Sequence, residues 1–486
     1  MLKYISSFKD YCDLLIFRKP DLSFSEQNQL KSNKLLRSAL WRFRKLDFDP
    51  VLPLFVSYYS SEGRPARDPV IIFRSLLLML KMKCWSIDSW VDLVHSHREY
   101  QYVIGSFDIP GVATHYDFIN RLVNEHPHLS DLFPKGKYNR DVRTKLKKNE
   151  KWENFTDQDT SSLTQKYWDN ADSDINRATM TLEKIFRELA VVPSKEAGLI
   201  PDNNNLTLCG DGSALHIHSS KFGHRVEYCS DEVNNYRYTA PDADIGWDSD
   251  LCVWYLGYHF FNISCHSADH KVDLPLYISI GYASSHDALT SISATARCLD
   301  LHPDIHPAYM AFDSAMDAYP IYEWLRHRNI IPIIDWNPRH SGFNNPYAKF
   351  ESRDPADGTP ICTAGYRMTR DGYDRSKMAA KFRCPVKTGE VHACPFMDQC
   401  CKTPYGRVIK NFDKTNWKLF GPIPYKSDQW KEIYKNRTCT ERINNRTLND
   451  YGLHKLHVRS RGKTFFFAIL AGIHIHMDER CKCIKN

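Results

Sequence analysis

The chain has 486 residues, 42% of them apolar and 25% charged, which is too many for one simple core and predicts two or three globular domains. The longest clean apolar run, residues 465–473, is far short of a bilayer span. Residues 1–10 are charged rather than apolar like a signal peptide, and fifteen cysteines scattered without regular spacing argue against a secreted disulfide scaffold. The expectation is a reduced, cytoplasmic protein with no membrane partner. A formal net charge of +7 permits a polyanionic partner. Aromatic residues, at 13%, can stack on splayed bases but more often fill cores.

Residues 1–50 are mixed and basic. Asp68-Pro69 predicts a helix start, since Asp accepts free N–H groups and Pro suits the first turn. The run 70–82 that follows is apolar on nearly all sides, as in a buried helix. Another helix is expected over 86–94, and Thr114–Asp117 resembles a capping box before Phe118, Ile119 and Leu122. Residues 135–151 are dense in Lys and Arg, including Lys145, Lys147 and Lys148. They read as a solvated linker or a DNA-facing arm. Residues 173–190 have the period of an amphipathic helix.

After Pro201 the period shortens. Strands are expected over 206–209, 253–264, 274–280, 309–312 and 330–334, with helices over 288–301 and 318–328. Three strands, then helix, strand, helix, strand, is the order of an α/β fold with a mixed sheet. Residues 337–430 break that rhythm with Pro, Gly, Asn and clustered cysteines, as an insertion would. The pattern resumes with a helix over 434–449, a strand near 454–459 and a final apolar helix from Thr464. The implied segments are an N-terminal helical, DNA-binding region (1–134), a basic linker and helix (135–200), a first core part (201–336), the insertion (337–430) and a second core part (431–486).

Two acids stand at predicted strand ends. Asp211 follows Leu-Thr-Leu-Cys-Gly and Asp313 follows Tyr-Met-Ala-Phe. Carboxylates at neighbouring strand ends can converge on Mg²⁺, which prefers hard oxygen ligands and binds substrate phosphate. Taken singly, such an Asp is most often a turn residue or helix cap. Tyr434, Arg437 and Glu441 lie at i, i+3 and i+7 of a predicted helix and share one face. A phenol, a guanidinium fork and a carboxylate together suit a phosphate held beside a metal. The plainer reading is a wet Arg–Glu pair. His286, beside Asp287, reads as a strand end and helix cap rather than half of a catalytic dyad.

In their order, these motifs resemble the DDE transposases of bacterial insertion sequences, in the branch with a tyrosine–arginine–glutamate signature. The resemblance spans residues 60–475. It rests on Gly63–Pro69 with the apolar helix after it, Thr114–Leu122, Asp211-Gly-Ser213, Leu256–His259, Leu274–Leu276 through Asp287, Asp313–Tyr319, and Tyr434, Arg437 and Glu441. It implies an RNase H-like core in which Asp211, Asp313 and Glu441 hold Mg²⁺, with Mn²⁺ able to substitute. The implied activity is DNA cleavage at terminal inverted repeats followed by strand transfer. DNA contacts would come from Tyr434, Arg437 and the basic arm, and the protein would act as a homodimer near the nucleoid. The family usually carries Lys or Arg seven residues after the Glu. Leu448 stands there, with Arg446 as the nearest substitute. A catalytically decayed, purely DNA-binding relative is the alternative.

Zinc is a separate question. Cys384, Cys394 and Cys400 lie close in sequence, with Cys401 adjacent, Cys362 upstream and His392 nearby. Zinc requires four N or S ligands, and paired C-x₂-C knuckles are its strong signal. None is present, so unligated thiols are the favoured expectation.

Overall fold

A computed structural model describes residues 1–123, 177–219, 224–225, 236–237, 240, 242–337, 354, 358–400, 403–413 and 418–483. The basic arm with Lys145, Lys147 and Lys148 lies outside the described residues.

The N-terminal third is helical. Helices Phe8–Phe17, Phe24–Ser32 and Lys34–Phe43 occupy the mixed, basic stretch 1–50, and Ser7, Ser23 and Asn33 cap them. Ser7 with Asp10 and Ser23 with Glu26 form capping boxes, a signal present in the sequence. Helix Pro69–Lys81 starts as expected, with the Asp68 side chain accepting from the Val70 N–H at 2.9 Å. It is buried from Pro69 to Leu80 except at Ile71. Ser86 caps helix Ile87–Ser96. Thr114 and Asp117 form no capping box. Helix Val112–Leu122 begins earlier, at an extended Gly111, so both residues fall inside it.

The central sheet is built from β1 (Thr207–His216), β4 (Asp244–Asp248), β5 (Val253–Ser267), β6 (Val272–Tyr282), β7 (Tyr309–Phe312) and β8 (Ile331–Ile334). A two-residue ladder joins β2 (His224–Arg225) to β3 (Tyr236–Arg237) outside it. β6, β5 and β1 are antiparallel neighbours, and β7 and β8 continue from β1 in parallel. β4 extends the sheet by pairing with the start of β5. Helices Asp287–Leu301 and Tyr319–His327 supply the crossovers that parallel pairing requires. The molecule is therefore mixed α/β with a mixed sheet. β1 runs on past Gly210, so Asp211 lies within a strand rather than at its end.

The closing helix, Arg461–Cys483, is buried on nearly every side. It packs on β6 and on the N-terminal helices. Phe466 meets Phe73 and Phe118 edge-on, at 5.8 and 6.4 Å between centroids, and His474 Nε2 lies 2.8 Å from the Leu77 carbonyl. One continuous hydrophobic core thus joins the N-terminal helices to the sheet. No described helix is long and apolar enough to cross a membrane. The strand expected over 454–459 is instead a short 3-10 turn, Leu453–Lys455, followed by irregular chain. His457 N–H donates to the Trp85 carbonyl at 3.0 Å and His218 Nε2, just past β1, lies 2.8 Å from the His454 carbonyl, so this segment touches both the helical region and the sheet without pairing as a strand. Gly452 begins it with φ of +65°, where a Cβ would lie 2.3 Å from the Trp85 ring.

The described part of residues 337–430 adds no strand to the central sheet. It forms a separate three-stranded antiparallel sheet, β9 (Thr369–Asp374), β10 (Ala379–Arg383) and β11 (Val408–Phe412), over a small core of Met368, Ala380, Phe382 and Phe420.

Candidate active site

The site follows from strand register. β1 pairs in parallel with β7, with Cys209 opposite Ala311. Two residues further along each chain, Asp211 and Asp313 come alongside one another. β7 pairs with β8 through Phe312 and Ile334, so Asp335 extends the row. Its Oδ1 accepts from the Tyr425 hydroxyl at 2.5 Å. Asp313 turns out of its strand as an N-cap, with Oδ1 accepting from the Ala315 N–H at 2.8 Å.

Side-chain alternation sorts β1 into two faces. Cys209, Asp211 and Ser213 face helix Thr438–Asn445. Cys209 and Cys439 share a small core with Ala311, Ile333 and Trp430, which seats that helix on the sheet. Asn444 Nδ2 donates to Asp211 Oδ2 at 3.2 Å and to Ser213 Oγ at 2.9 Å. Asn262 on β5 donates to Asn444 Oδ1 at 2.5 Å. On the other face Gly212 leaves room for His259 and Asp287, whose Nε2 and Oδ1 stand 2.8 Å apart. A Cβ at Gly212 would lie 2.5 Å from that Asp287 oxygen and 2.6 Å from His259 Nε2. His286 caps helix Asp287–Leu301, accepting at Nδ1 from the Ala288 N–H at 3.2 Å, as its sequence context predicts.

The helix expected over 434–449 is divided. Helix Asp428–Tyr434 ends at the tyrosine, a 3-10 turn covers Lys435–Arg437, Thr438–Asn445 carries Glu441, and a π-turn follows over Arg446–Asp450. Tyr434 stacks on Trp430 at 4.4 Å, and the Arg437 guanidinium lies 5.8 Å from the Tyr434 ring centroid. Arg437 Nη2 donates to Glu441 Oε1 at 2.6 Å. The two side chains differ in exposure, 19% for Arg437 and 54% for Glu441.

These groups share one electrostatic environment. Burial first, and then the Asp313 charge, push Asp211 up to about 7, against the pull of Arg437. Asp287 and Glu441 add further repulsion. Burial likewise raises Asp313. Arg437 is held protonated against burial by Tyr434, Asp211, Glu441 and Asp313, while burial pushes Tyr434 up to about 12. As they stand, no three described His, Cys, Asp or Glu side chains are gathered tightly enough to grip an ion. The oxygen donors of Asp211, Asp313 and Glu441 are of the hard type that a divalent cation such as Mg²⁺ prefers.

Arg446 lies elsewhere. Its guanidinium pairs with Glu479 and, at 3.3 Å, with Asp478 on the closing helix. Leu448 is buried in the core beside it. Asn444, Asn262, His259 and Asp287 escaped the sequence reading as site residues. The period-2 pattern of β5 signals that Asn262 and Ser264 share a face, but nothing local shows what that face meets. No protein-family model and no curated protein matches the chain.

Proposed function

We propose that the chain is a DNA transposase of the DDE type. The observation that carries this reading is the convergence of Asp211 and Asp313 on adjacent parallel strands, beside the turn that ends in Arg437 and the helix after it that carries Glu441. The strand order β6-β5-β1-β7-β8, antiparallel and then parallel, supports an RNase H-like core.

In this reading Asp211, Asp313 and Glu441 hold Mg²⁺, which when bound supplies Lewis acidity and an activated water for phosphodiester cleavage. The chain's own residues arrange that site. Asn444, itself held by Asn262, fixes the Asp211 carboxylate. The Gly212 cleft keeps the His259–Asp287 pair against the back of β1. Arg437 offers a forked donor, and on DNA it would exchange its bond to Glu441 for one to a phosphate oxygen. Tyr434 lines the same approach. Both ends of an element must be held together, so a dimer on DNA belongs to the proposal.

The test is a single-turnover cleavage and strand-transfer assay with Mg²⁺ on DNA flanking the gene. Cleavage by the wild type and loss by Asp211→Ala, Asp313→Ala and Glu441→Ala supports the reading. A purely DNA-binding, decayed relative is favoured by one observation, the buried Leu448 at the signature's basic position. It predicts salt-sensitive DNA binding without strand transfer.

A further inference from the structure

The insertion sheet brings its cysteines to one end. β10 pairs Arg383 with Thr369 of β9 and with Val408 of β11. The start of β9, the end of β10 and the start of β11 are therefore adjacent. Cys362 precedes β9, Cys384 follows β10 directly, and Cys394 and Cys400 lie in the connection to β11. All four line one small cavity, together with Met368 and Val386. His392 does not line it.

The backbone at three of these cysteines has the same form. The Cys362 carbonyl accepts from the Gly365 N–H at 2.8 Å, that of Cys384 from Lys387 at 3.1 Å, and that of Cys394 from Met397 at 3.2 Å. Each cysteine thus opens a tight turn, the arrangement that lets a sulfur project from a loop tip toward a shared centre. Arg407 Nη1 donates to Cys400 Sγ at 3.9 Å. The hydrophobic core of this sheet is small, and a unit of that size gains most from an added cross-link.

We infer that Cys362, Cys384, Cys394 and Cys400 form a structural zinc site that closes the open end of the insertion sheet. Four thiolates complete a tetrahedral, closed coordination shell, which is a structural rather than a catalytic arrangement. As sulfur–zinc bonds form, the thiol protons pass to solvent, and no electron is transferred. The sulfurs line the cavity without being gathered to bonding distance, so zinc binding requires these loops to close on it. The sequence spacing disfavours this site because the ligands are not paired two residues apart. The sheet register supplies the proximity that the spacing lacks.

The test uses the full chain, expressed in zinc-supplemented medium and purified without chelator. Elemental analysis should find about one zinc ion per chain, released by a thiol-modifying mercurial. Cys384→Ser and Cys394→Ser should each lower that content at least about fivefold. Cys252→Ser, an exposed cysteine outside the insertion, should retain it. If the serine variants fail to fold, the wild type decides. Stripped of metal and given cobalt(II), it should show thiolate charge-transfer absorption and tetrahedral visible bands. A folded wild type that takes up neither ion, or zinc retained by both serine variants, would overturn the assignment.

Discussion

Two groups of carboxylates among the described residues are treated oppositely. At the closing helix, Asp478 meets Arg42 at 2.6 Å, Lys81 at 3.2 Å and Arg446 at 3.3 Å, and accepts from the Tyr451 hydroxyl. Burial alone would raise its pKa, but Lys81 and Arg42 hold it well below the usual carboxylate range. At the sheet, Asp211 has Asp313, Asp287 and Glu441 around it, with Arg437 as counter-charge, and is pushed up to about 7. The first cluster is neutralised by the protein and fastens the N-terminal helices to the closing helix. The second has only Arg437 as counter-charge, so burial and carboxylate repulsion favour a proton on Asp211. The proposed function assigns the working role to the second group, where the carboxylate pKa is raised rather than depressed.

The sharpest way to break this contrast is alanine replacement in both clusters. Asp211→Ala, Asp313→Ala or Glu441→Ala should lower single-turnover cleavage by on the order of 10³-fold, with DNA binding and melting temperature nearly kept. Near-normal cleavage by any one of them removes that residue from the site. Asp478→Ala should do the reverse. It leaves Arg42, Lys81 and Arg446 facing one another, and a broken buried pair costs about 3–5 kcal/mol. Denaturant unfolding measures this, and an unchanged midpoint would make the network ornamental.

Smaller effects sharpen the comparison. Gly212→Ala forces a Cβ into the His259–Asp287 pair, and overpacking of this kind costs about 1–3 kcal/mol. Unfolding free energies of the two proteins should differ by that amount. Arg437→Lys keeps the charge and loses the fork, so cleavage should slow by the equivalent of about 1–3 kcal/mol with folding preserved. Equal rates would leave Arg437 as a surface partner of Glu441. A further contrast lies in the pH dependence. With no metal added, the folded chain keeps a proton on Asp211 that the unfolded chain releases above the ordinary carboxylate range. Its contribution to stability therefore declines as pH rises toward about 7. Asp478, with its pKa depressed, contributes stability that is lost as pH falls through the acid range. Melting curves across pH for the wild type, Asp211→Asn and Asp478→Asn should separate the two slopes. Identical slopes in Asp211→Asn and wild type would mean that Asp211 is not proton-loaded.

Local signals in the chain determined a good deal. The Asp68-Pro69 start, the Ser86 and His286 caps, the apolar strands, the mixed α/β order and the break at 337–430 are all written in short-range chemistry and periodicity. So is the candidacy of Asp211, Asp313 and Glu441, because each carries its own motif. Tertiary structure alone decided the rest, and the reason in each case is a partner distant in sequence. Asn444 bears on Asp211 only because Cys439 packs against Cys209. Asp287 reaches the site's field only because Gly212 has no side chain. Arg446 turns to Glu479 because the closing helix passes beside it. Leu453–Lys455 turns instead of extending as a strand where Gly452, at positive φ, fits under Trp85. The four cysteines of the insertion, spaced too irregularly to read as ligands along the chain, share a cavity because antiparallel register brings three strand ends together.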